Sequence, residues 1–394
     1  MLPALFLCLT LHHLLFGLHE AMFGDQAIAL RAFILFSALL LLFFAMPAIR
    51  VKTLLSIVSV IALGGLIVSI ELLYEIAETQ VFKRSTWFQI SNMECVKLIT
   101  GWVLPQLYLP GYRPTGLLEH AHASTFFVAI SALAAISLYS YSSRRLWIGI
   151  VVVETVALCS HGTRMPVVAL IFSFLLIAFF LHLSSVDKKL KQRALLDMFA
   201  SVISAGAILF IDPVGASAQY YKPAVTDADF QVPPGFLFDL AKRLLIESEW
   251  WHLLRGEASD LAIALFGHGI TGSLSGSRLF SDDLFFLALP LQYGLVGFTV
   301  LAAICAVSIW KSCALLLAPS VADEAASSMA IFAGGVLFVL SVSMLHIGVI
   351  QRKVIFPLLP LSIGTRWCYR LSKARAPSAE NNPAMIPSVY GTGS

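Results

Sequence analysis

Charged residues are scarce in this chain of 394 residues. Asp, Glu, Lys and Arg together make up only 12% of the sequence, whereas 58% of its residues are hydrophobic. A soluble protein of this length would carry roughly twice that share of charge. The composition therefore argues against an ordinary soluble protein and indicates an integral membrane protein.

Cysteine pairs and nucleotide-binding motifs are also missing. The six cysteines lie mostly in apolar runs, and no two of them have metal-binding or redox spacing, so no disulfide framework is predicted. The sequence contains no P-loop, so nothing indicates transport driven by ATP. The first apolar run has no basic residue ahead of it and no clear cleavage site, which favours a retained membrane span over a signal peptide.

Long apolar runs are what the sequence has instead. Runs of about 18 nearly uncharged residues are candidates for transmembrane helices. Ten spans are predicted: Leu2–Leu18, Gln26–Ala48, Leu54–Leu73, Ser124–Ser142, Leu146–Ser160, Met165–Leu183, Ala194–Ile211, Leu284–Trp310, Ala326–Ile350 and a shorter Val354–Gly364. Because an open sheet cannot satisfy its hydrogen bonds in lipid, the predicted fold is an all-α, polytopic bundle of about ten transmembrane helices.

The positions of the basic residues predict the topology. Basic clusters close to span ends favour the cytoplasmic side of a membrane. One topology places all of them there: Arg50, Lys52, Arg144, Arg145, Lys188, Lys189, Lys191, Arg193, Lys311, Arg366, Arg370, Lys373 and Arg375. Residues 1–375 then form the membrane domain, and the Pro-, Ser- and Asn-rich residues 376–394 form a disordered cytoplasmic tail.

This topology leaves three polar segments on the outer face: Tyr74–Ala123, His161–Arg164 and Asp212–Asp283. The third has about 70 residues, too many for a simple connector, and is expected to be structured or functional. Helical spacing over Gly235–Leu265 predicts short helices on the membrane surface, with Trp250 and Trp251 as interfacial anchors.

Arginine, histidine and carboxylate side chains gather in these outer segments, within YRPTGLLEHAH, SHGTR and the stretch from AKRLLIESEWW through GHG to SDD. The candidates are Arg113, Glu119, His122, His161, Arg164, Arg243, His268, Arg278, Asp282 and Asp283. Arginine suits phosphate because its planar fork makes bidentate contacts and stays charged. A nearby carboxylate or imidazole can take a proton from a hydroxyl nucleophile. The set fits a phosphate-linked lipid whose other end is a sugar.

The order of four elements resembles the O-antigen polymerase and O-antigen ligase superfamily of bacterial envelope glycosyltransferases. The elements are RPTGLLEHAH before a span, GTR opening a span, an Arg–Trp stretch leading into GHG, and an acidic residue followed by YGLVG. In the ligases a histidine precedes the Gly-x-x-Gly pair by a fixed interval. Counting back from Gly294 and Gly297 places Asp283 at that position, which resembles the polymerase branch. The seven residues from Arg243 to Trp250 are a looser spacing than the family's.

The resemblance implies a GT-C-like membrane fold and a glycosyltransferase of the bacterial inner membrane that faces the periplasm or cell exterior. A glycan on undecaprenyl diphosphate would be transferred to a sugar hydroxyl of another lipid-linked repeat unit, as in an O-antigen or capsule-type polymerase. Neither a nucleotide sugar nor an obligatory metal or cofactor is implied. Membrane lipid and a chain-length regulator protein are the further partners expected, and no nucleic acid is.

The resemblance also implies roles for the candidate residues. Asp283 is expected to be the base that activates the acceptor hydroxyl, and Arg164 to stabilise the diphosphate as the glycosidic bond breaks. The remaining catalytic candidates are Glu119 and His268. The substrate-binding candidates are Arg113, Arg243, Arg278, His161, His122 and Asp282, and no metal ligand is assigned.

Most of these residues also have a structural interpretation. Arg164 can anchor a helix end among lipid headgroups, and Arg243 can form an ion pair one helical turn away. Asp282 or Asp283 can cap the helix that follows. Two other features concern the spans: Pro290 is predicted to kink its helix, and the Gly294 pair can serve close helix packing.

Three alternatives stay open at the level of function. A ligase would transfer finished polymer to lipid A–core or to protein, but the aspartate at 283 counts against it. A lipid or solute transporter would show paired broken helices in two matching halves, which the sequence does not show. Charge within the predicted spans is also sparse, essentially Arg31 and Glu154, which argues against an ion relay. A non-enzymatic scaffold leaves the outer arginines unexplained.

Overall fold

A computed structural model of the chain describes residues 51–78, 82, 116–118, 121–184, 186–211, 242, 246, 249–257, 260–267, 285–317 and 324–343. Within these ranges the regular elements are helices, in agreement with the predicted all-α class. The predicted spans 2–18, 26–48 and 354–364 and the tail 376–394 lie outside the described residues.

The helices coincide with the predicted spans that fall in the described ranges. They are α1 (Val51–Ile76), α2 (Ala121–Ser142), α3 (Leu146–His161), α4 (Arg164–Leu183), α5 (Lys188–Ile211), α6 (Glu249–Leu254), α7 (Leu261–Phe266), α8 (Phe285–Leu317) and α9 (Glu324–Ser343). In the described part of the chain, Lys52–Ile76, His122–Ser142 and Met165–Leu183 are long and apolar enough to cross a membrane, while Leu146–His161 and Ser327–Ser343 are shorter apolar helices.

Two helix bounds differ from the prediction for the same reason. Helix α5 begins at Lys188, before the predicted Ala194, and α8 continues through Lys311 to Leu317, beyond the predicted Trp310. Charged residues interrupt an apolar run but not a helix, because Lys and Arg are good helix formers. The basic residues between Lys188 and Arg193 therefore belong to a helical turn rather than to a loop.

Helix α2 lies at the centre of the bundle. It contacts α1, α3, α4, α5 and α9, and almost every side chain from Ala123 to Ser140 is buried. Its sequence is rich in Ala and Ser, small residues that let helix backbones approach closely. Their hydroxyls also join helices: Ser137 Oγ lies 2.8 Å from Ser328 Oγ of α9.

One hydrogen-bonded contact fixes the positions of α1, α2 and α3 along the bundle axis relative to one another. Ser131 Oγ lies 3.0 Å from the carbonyl oxygen of Ile61 on α1 and 2.5 Å from Glu154 Oε1 on α3. Gly65 makes room for this contact, because a Cβ there would overlap with Ser131 and lie 2.6 Å from Glu154 Oε1. Farther along α3, Thr155 Oγ1 lies 2.6 Å from Ser201 Oγ of α5.

From these contacts the two ends of the bundle follow. The end of α1, the start of α2, the turn between α3 and α4 and the end of α5 lie together, at what we call the His161 end. The opposite, basic end collects the charged side chains Lys52, Arg144, Arg145, Lys188, Lys189, Lys191, Arg193 and Lys311. Asp187 and Glu324 are the described acids near the basic end, so positive charge predominates there.

Many large apolar side chains lie on the outward faces of the helices, outside the core. Exposed side chains include Ile67 at 59%, Leu175 at 60% and Phe199 at 62% of their full surface. Exposed apolar faces on α1, α4 and α5 exceed what soluble proteins expose without a partner. They suit contact with lipid, which supports a membrane association for the described helices.

Helix α8 contains a break that differs from the predicted one. We expected Pro290 to kink the helix, but the non-helical residue is Gly294, with φ of 64° and ψ of 178°. A positive φ of this kind is accessible to glycine without steric cost. Gly294 also has no room for a side chain, since a Cβ would overlap with the backbone of Leu265 and Phe266 on α7.

The expectation that charge inside the spans is limited to Arg31 and Glu154 is wrong. Glu71, Glu75 and Asp197 are also buried, with at most 8% of their surface exposed. Arg31 lies outside the described residues, and the described partner of Glu154 is Ser131. Glu71 and Asp197 stand inside the predicted spans Leu54–Leu73 and Ala194–Ile211, and Glu75 joins them because α1 continues to Ile76.

The Gly65 contact can be tested by adding one methyl group. In Gly65→Ala the new Cβ would overlap with Ser131, so we expect a loss of about 1–3 kcal/mol of stability, typical of overpacking. Thermal unfolding of the purified protein measures this. Gly64→Ala is the control, because its Cβ would lie 3.6 Å from Phe127, an ordinary contact. Equal stability of the two variants would contradict the proposed role of Gly65.

Candidate functional site

The turn between α3 and α4 contains the SHGTR sequence. Helix α3 ends at Gly162, whose φ of 78° is left-handed and whose N–H donates to the carbonyl of Cys159. His161 is fully buried, and its Nδ1 lies 2.7 Å from Thr163 Oγ1. The Thr163 hydroxyl thus bonds to the histidine and does not cap α4. His161 therefore shapes the turn from which α4 starts at Arg164.

The segment before α2 is held by two carboxylates of α1. The backbone N–H of Gly116 donates to Glu75 Oε2 at 3.1 Å, and that of Leu117 donates to Glu71 Oε2 at 3.2 Å. Glu71 and Glu75 are four residues apart, so they lie on one face of the helix. Gly116 has φ of 65° and packs so closely that a Cβ would lie 2.7 Å from Ser124 Oγ. This arrangement fixes residues 116–118 to the end of the bundle.

The third segment packs against the break in α8. Helix α7 is capped by Asp260, which accepts hydrogen bonds from the N–H groups of Ala262 and Ile263. It ends at Gly267, the first glycine of GHG, whose N–H donates to Ile263. The last turn of α7 lies against Gly294 of the YGLVG sequence. Two of the elements that carry the family resemblance are therefore in direct contact.

Helix α6 extends this third segment. It contacts both α7 and α8, and its Trp250 and Trp251 rings meet edge to face at 5.8 Å. Both tryptophans are partly exposed, as interfacial anchors would be. Just after α6, Arg255 and Glu257 form an exposed ion pair at 3.3 Å. The short helices expected within Gly235–Leu265 are thus present at these positions.

Gly294 lies level with the SHGTR turn. Phe180 on α4 and Trp310 on α8 pack edge to face at 6.2 Å. Arg164 lies sixteen residues before Phe180, and Gly294 lies sixteen residues before Trp310. Each separation corresponds to about 24 Å along a helix.

Ser328 near the start of α9 contacts Ser137 near the end of α2, so α9 begins at the basic end. Because α8 ends at Leu317, shortly before α9, it runs in the same direction as α4, and the α7–α8 contact belongs to the His161 end. All three segments therefore lie at the same end of the bundle.

The structure describes only some of the predicted site residues. Arg164 is the first residue of α4, and His161 lies buried in the turn before it. His122 is half-buried in the first turn of α2, where its carbonyl accepts a hydrogen bond from Thr125 Oγ1. The other candidates lie outside the described residues: Asp283, Asp282, Arg278, His268, Arg243, Glu119 and Arg113.

Glu71 and Glu75 are site residues that the sequence analysis missed. The signal was present as two acids four residues apart in the last turns of an apolar helix, without a basic residue beside them. Their role at this end is structural, because their carboxylate oxygens accept hydrogen bonds from the backbone N–H groups of Gly116 and Leu117. Among the described residues, no three His, Cys, Asp or Glu side chains are grouped so that they could hold a metal ion.

Comparison with known proteins gives no family assignment. No protein-family model, curated protein or solved structure matches this chain.

The carboxylate contacts at Gly116 and Leu117 predict a difference between two substitutions. In Glu75→Ala the buried N–H of Gly116 loses its acceptor, at a cost of about 1–3 kcal/mol. Glu75→Gln retains an acceptor oxygen and should be milder. Hydrogen exchange measured by mass spectrometry should show faster exchange around 116–118 in the alanine variant. The same exchange rate in both variants would show that Glu75 does not hold this segment.

The contact between α7 and the break in α8 predicts the effect of a methyl group at Gly294. In Gly294→Ala the alanine would have to adopt an unfavourable positive φ, and its Cβ would overlap with the Leu265 backbone. Helix α7 should therefore detach from α8. Limited proteolysis after α7 should then become faster. Gly206→Ala on α5 is the control, because a Cβ there meets no atom within 4 Å. Unchanged proteolysis of Gly294→Ala would contradict the packing described.

Proposed function

We propose that this protein is a polysaccharide polymerase of the O-antigen or capsule type in a bacterial inner membrane. The observation that supports this function best is the placement of three separate segments, SHGTR, the stretch at Gly116 and the α7–α8 contact, at the same end of the bundle. These segments carry the resemblance to the polymerase and ligase superfamily. Their side chains include the arginines and acids that a diphosphate-linked donor and a hydroxyl acceptor require.

The proposed orientation follows from the distribution of charge. The end opposite the three segments carries the exposed basic side chains Arg144, Arg145, Lys188 and Lys189. Basic residues of this kind remain on the cytoplasmic side of a membrane. The His161 end then faces the periplasm or cell exterior, where lipid-linked repeat units would be joined.

In the proposed reaction, a sugar hydroxyl of one lipid-linked repeat unit attacks the anomeric carbon of a glycan on undecaprenyl diphosphate. A new glycosidic bond forms as the bond to the diphosphate oxygen breaks, and the lipid diphosphate leaves with the electron pair. Asp283 accepts the hydroxyl proton, while Arg164 stabilises the leaving diphosphate. Arg164 opens α4, whose N-terminal N–H groups point to the same end and favour anions.

Two other functions remain candidates. A ligase would use the same donor and transfer polymer to lipid A–core or protein, and it differs from a polymerase in its acceptor. A lipid or solute transporter is the candidate from another class. The buried Glu154 and Asp197 favour it, since buried acids inside a bundle mark ion pathways in transporters.

Arg164→Ala tests the centre of this proposal. Polymer should be lost, because the charge that stabilises the diphosphate is removed, while the protein stays folded and in the membrane. Polymer is measured by gel electrophoresis of cell-envelope glycans, and folding by the thermal unfolding of the purified variant. Arg145→Ala, which removes an exposed arginine at the basic end, is the matched control and should leave the polymer unchanged. Normal polymer from Arg164→Ala would overturn the assigned role.

Lipid-linked products in a deletion strain separate the three functions. Accumulation of a single repeat unit on the lipid carrier supports a polymerase, whereas accumulation of long, unligated polymer supports a ligase. A deletion strain that accumulates neither the single lipid-linked repeat unit nor unligated polymer would exclude the two enzymes and leave the transporter.

A further inference from the structure

Two buried acids lie inside the bundle, away from the His161 end. Glu154 on α3 and Asp197 on α5 are both 0% exposed. Asp197 belongs to the buried stripe of α5 that includes Leu190, Ala194 and Ser201, so it points into the bundle. The two carboxyl groups are close enough to interact electrostatically. Neither Asp197 oxygen has a hydrogen-bond partner in the described structure, nor has Glu154 Oε2.

The surroundings of Ser131 indicate which atom carries a proton. Ser131 Oγ lies 3.0 Å from the carbonyl of Ile61, 3.2 Å from that of Ala62 and 2.5 Å from Glu154 Oε1. A serine hydroxyl has one proton to donate and two lone pairs, and a carbonyl oxygen cannot donate. If the hydroxyl donates to a carbonyl, the short contact with Glu154 is attractive only when Glu154 donates. The three contacts therefore include two hydrogen bonds when Glu154 is protonated and donates, but only one when Glu154 is ionised, because Ser131 then has a single proton for three acceptors.

The free-energy cost of burying charge also indicates that Glu154 and Asp197 are both protonated. An isolated carboxylate inside an apolar bundle costs far more than a neutral carboxyl group, and two neighbouring carboxylates also repel each other. Arg193, one turn from Asp197, donates instead to the carbonyl of Ser140 at 3.4 Å. The other buried ionisable groups described on α1, α2 and α3 are Glu71, Glu75, Tyr139, Cys159 and His161. None of these is a permanent cation, and α4 contributes no buried ionisable side chain that the structure describes.

We propose that Glu154 and Asp197 form a proton-binding site in the interior of the bundle. Protonated Glu154 donates a hydrogen bond to Ser131 Oγ, and the Ser131 hydroxyl donates its own hydrogen bond to a carbonyl oxygen of α1. Asp197 holds a second proton beside it. The ligand of this site is the proton itself, and the site lies between α1, α2, α3 and α5. It does not depend on the polymerase function, because none of its residues belongs to the His161 end.

Infrared difference spectroscopy of the full-length protein in lipid tests the site directly. The spectrum of the wild type minus that of Glu154→Gln, recorded at neutral pH, should contain the carbonyl stretch of a carboxylic acid, and this band should shift in heavy water. The corresponding difference for Asp197→Asn should contain a second such band. Glu324→Gln, which changes an exposed acid on α9, is the control and should remove only carboxylate bands. Carboxylate bands in the Glu154 and Asp197 differences would overturn the proposal.

Stability provides a second measurement that does not depend on band assignment. Glutamine resembles a protonated glutamate, and its amide can donate to Ser131, so Glu154→Gln should unfold at nearly the same temperature as the wild type. Glu154→Ala leaves Ser131 without this partner and should unfold at a clearly lower temperature. If the glutamine variant loses as much stability as the alanine variant, a protonated side chain at 154 is not what satisfies Ser131, and the proposal fails.

Discussion

The contact of Ser131 with α1 and α3 is the constraint on which the remaining architecture depends. One hydroxyl reaches a carbonyl of Ile61 and the carboxyl group of Glu154, and Gly65 supplies the space. Apolar helix faces alone tolerate sliding, because Leu, Ile and Val side chains pack acceptably in several registers. A hydrogen bond between two helices has one register, since its donor and acceptor must lie within about 3 Å. The relative heights of α1, α2 and α3 follow from it.

The His161 end takes its shape from those heights. Because α1 and α2 are held in register, Glu71 and Glu75 come to the level at which the segment before α2 turns at Gly116. Because α4 and α8 meet at Phe180 and Trp310, the break at Gly294 comes to the level of the SHGTR turn. The end of the bundle is therefore assembled by contacts made some distance below it. A substitution in the bundle interior can disturb the site without touching it.

The buried acids divide into two groups with different chemistry. Glu71 and Glu75 accept hydrogen bonds from backbone N–H groups near the surface of the bundle. These hydrogen bonds offset the cost of burying the two carboxyl groups, whether they are ionised or neutral. Glu154 and Asp197 lie deeper, and a serine hydroxyl is the described partner of the pair. The first group holds a segment in position, and the second stores protons. Buried acids thus serve two purposes in this bundle, and the hydrogen-bond donors available to each acid decide which purpose it serves.

Local composition was enough to predict which of the described stretches are helices and which end of the bundle is basic. Hydropathy is a local property that survives any tertiary arrangement, so Leu54–Leu73 and Met165–Leu183 were recognised from their apolar residues, with small errors where Lys188 or Lys311 continues a helix. Packing between helices, in contrast, fixes where side chains lie in relation to other helices. The break at Gly294, the burial of Asp197 and the hold of Glu71 and Glu75 on Gly116 all depend on contacts between residues far apart in the chain. No local pattern encodes such contacts, because they arise from helix register, and register is set by a few small and polar residues between packed helices.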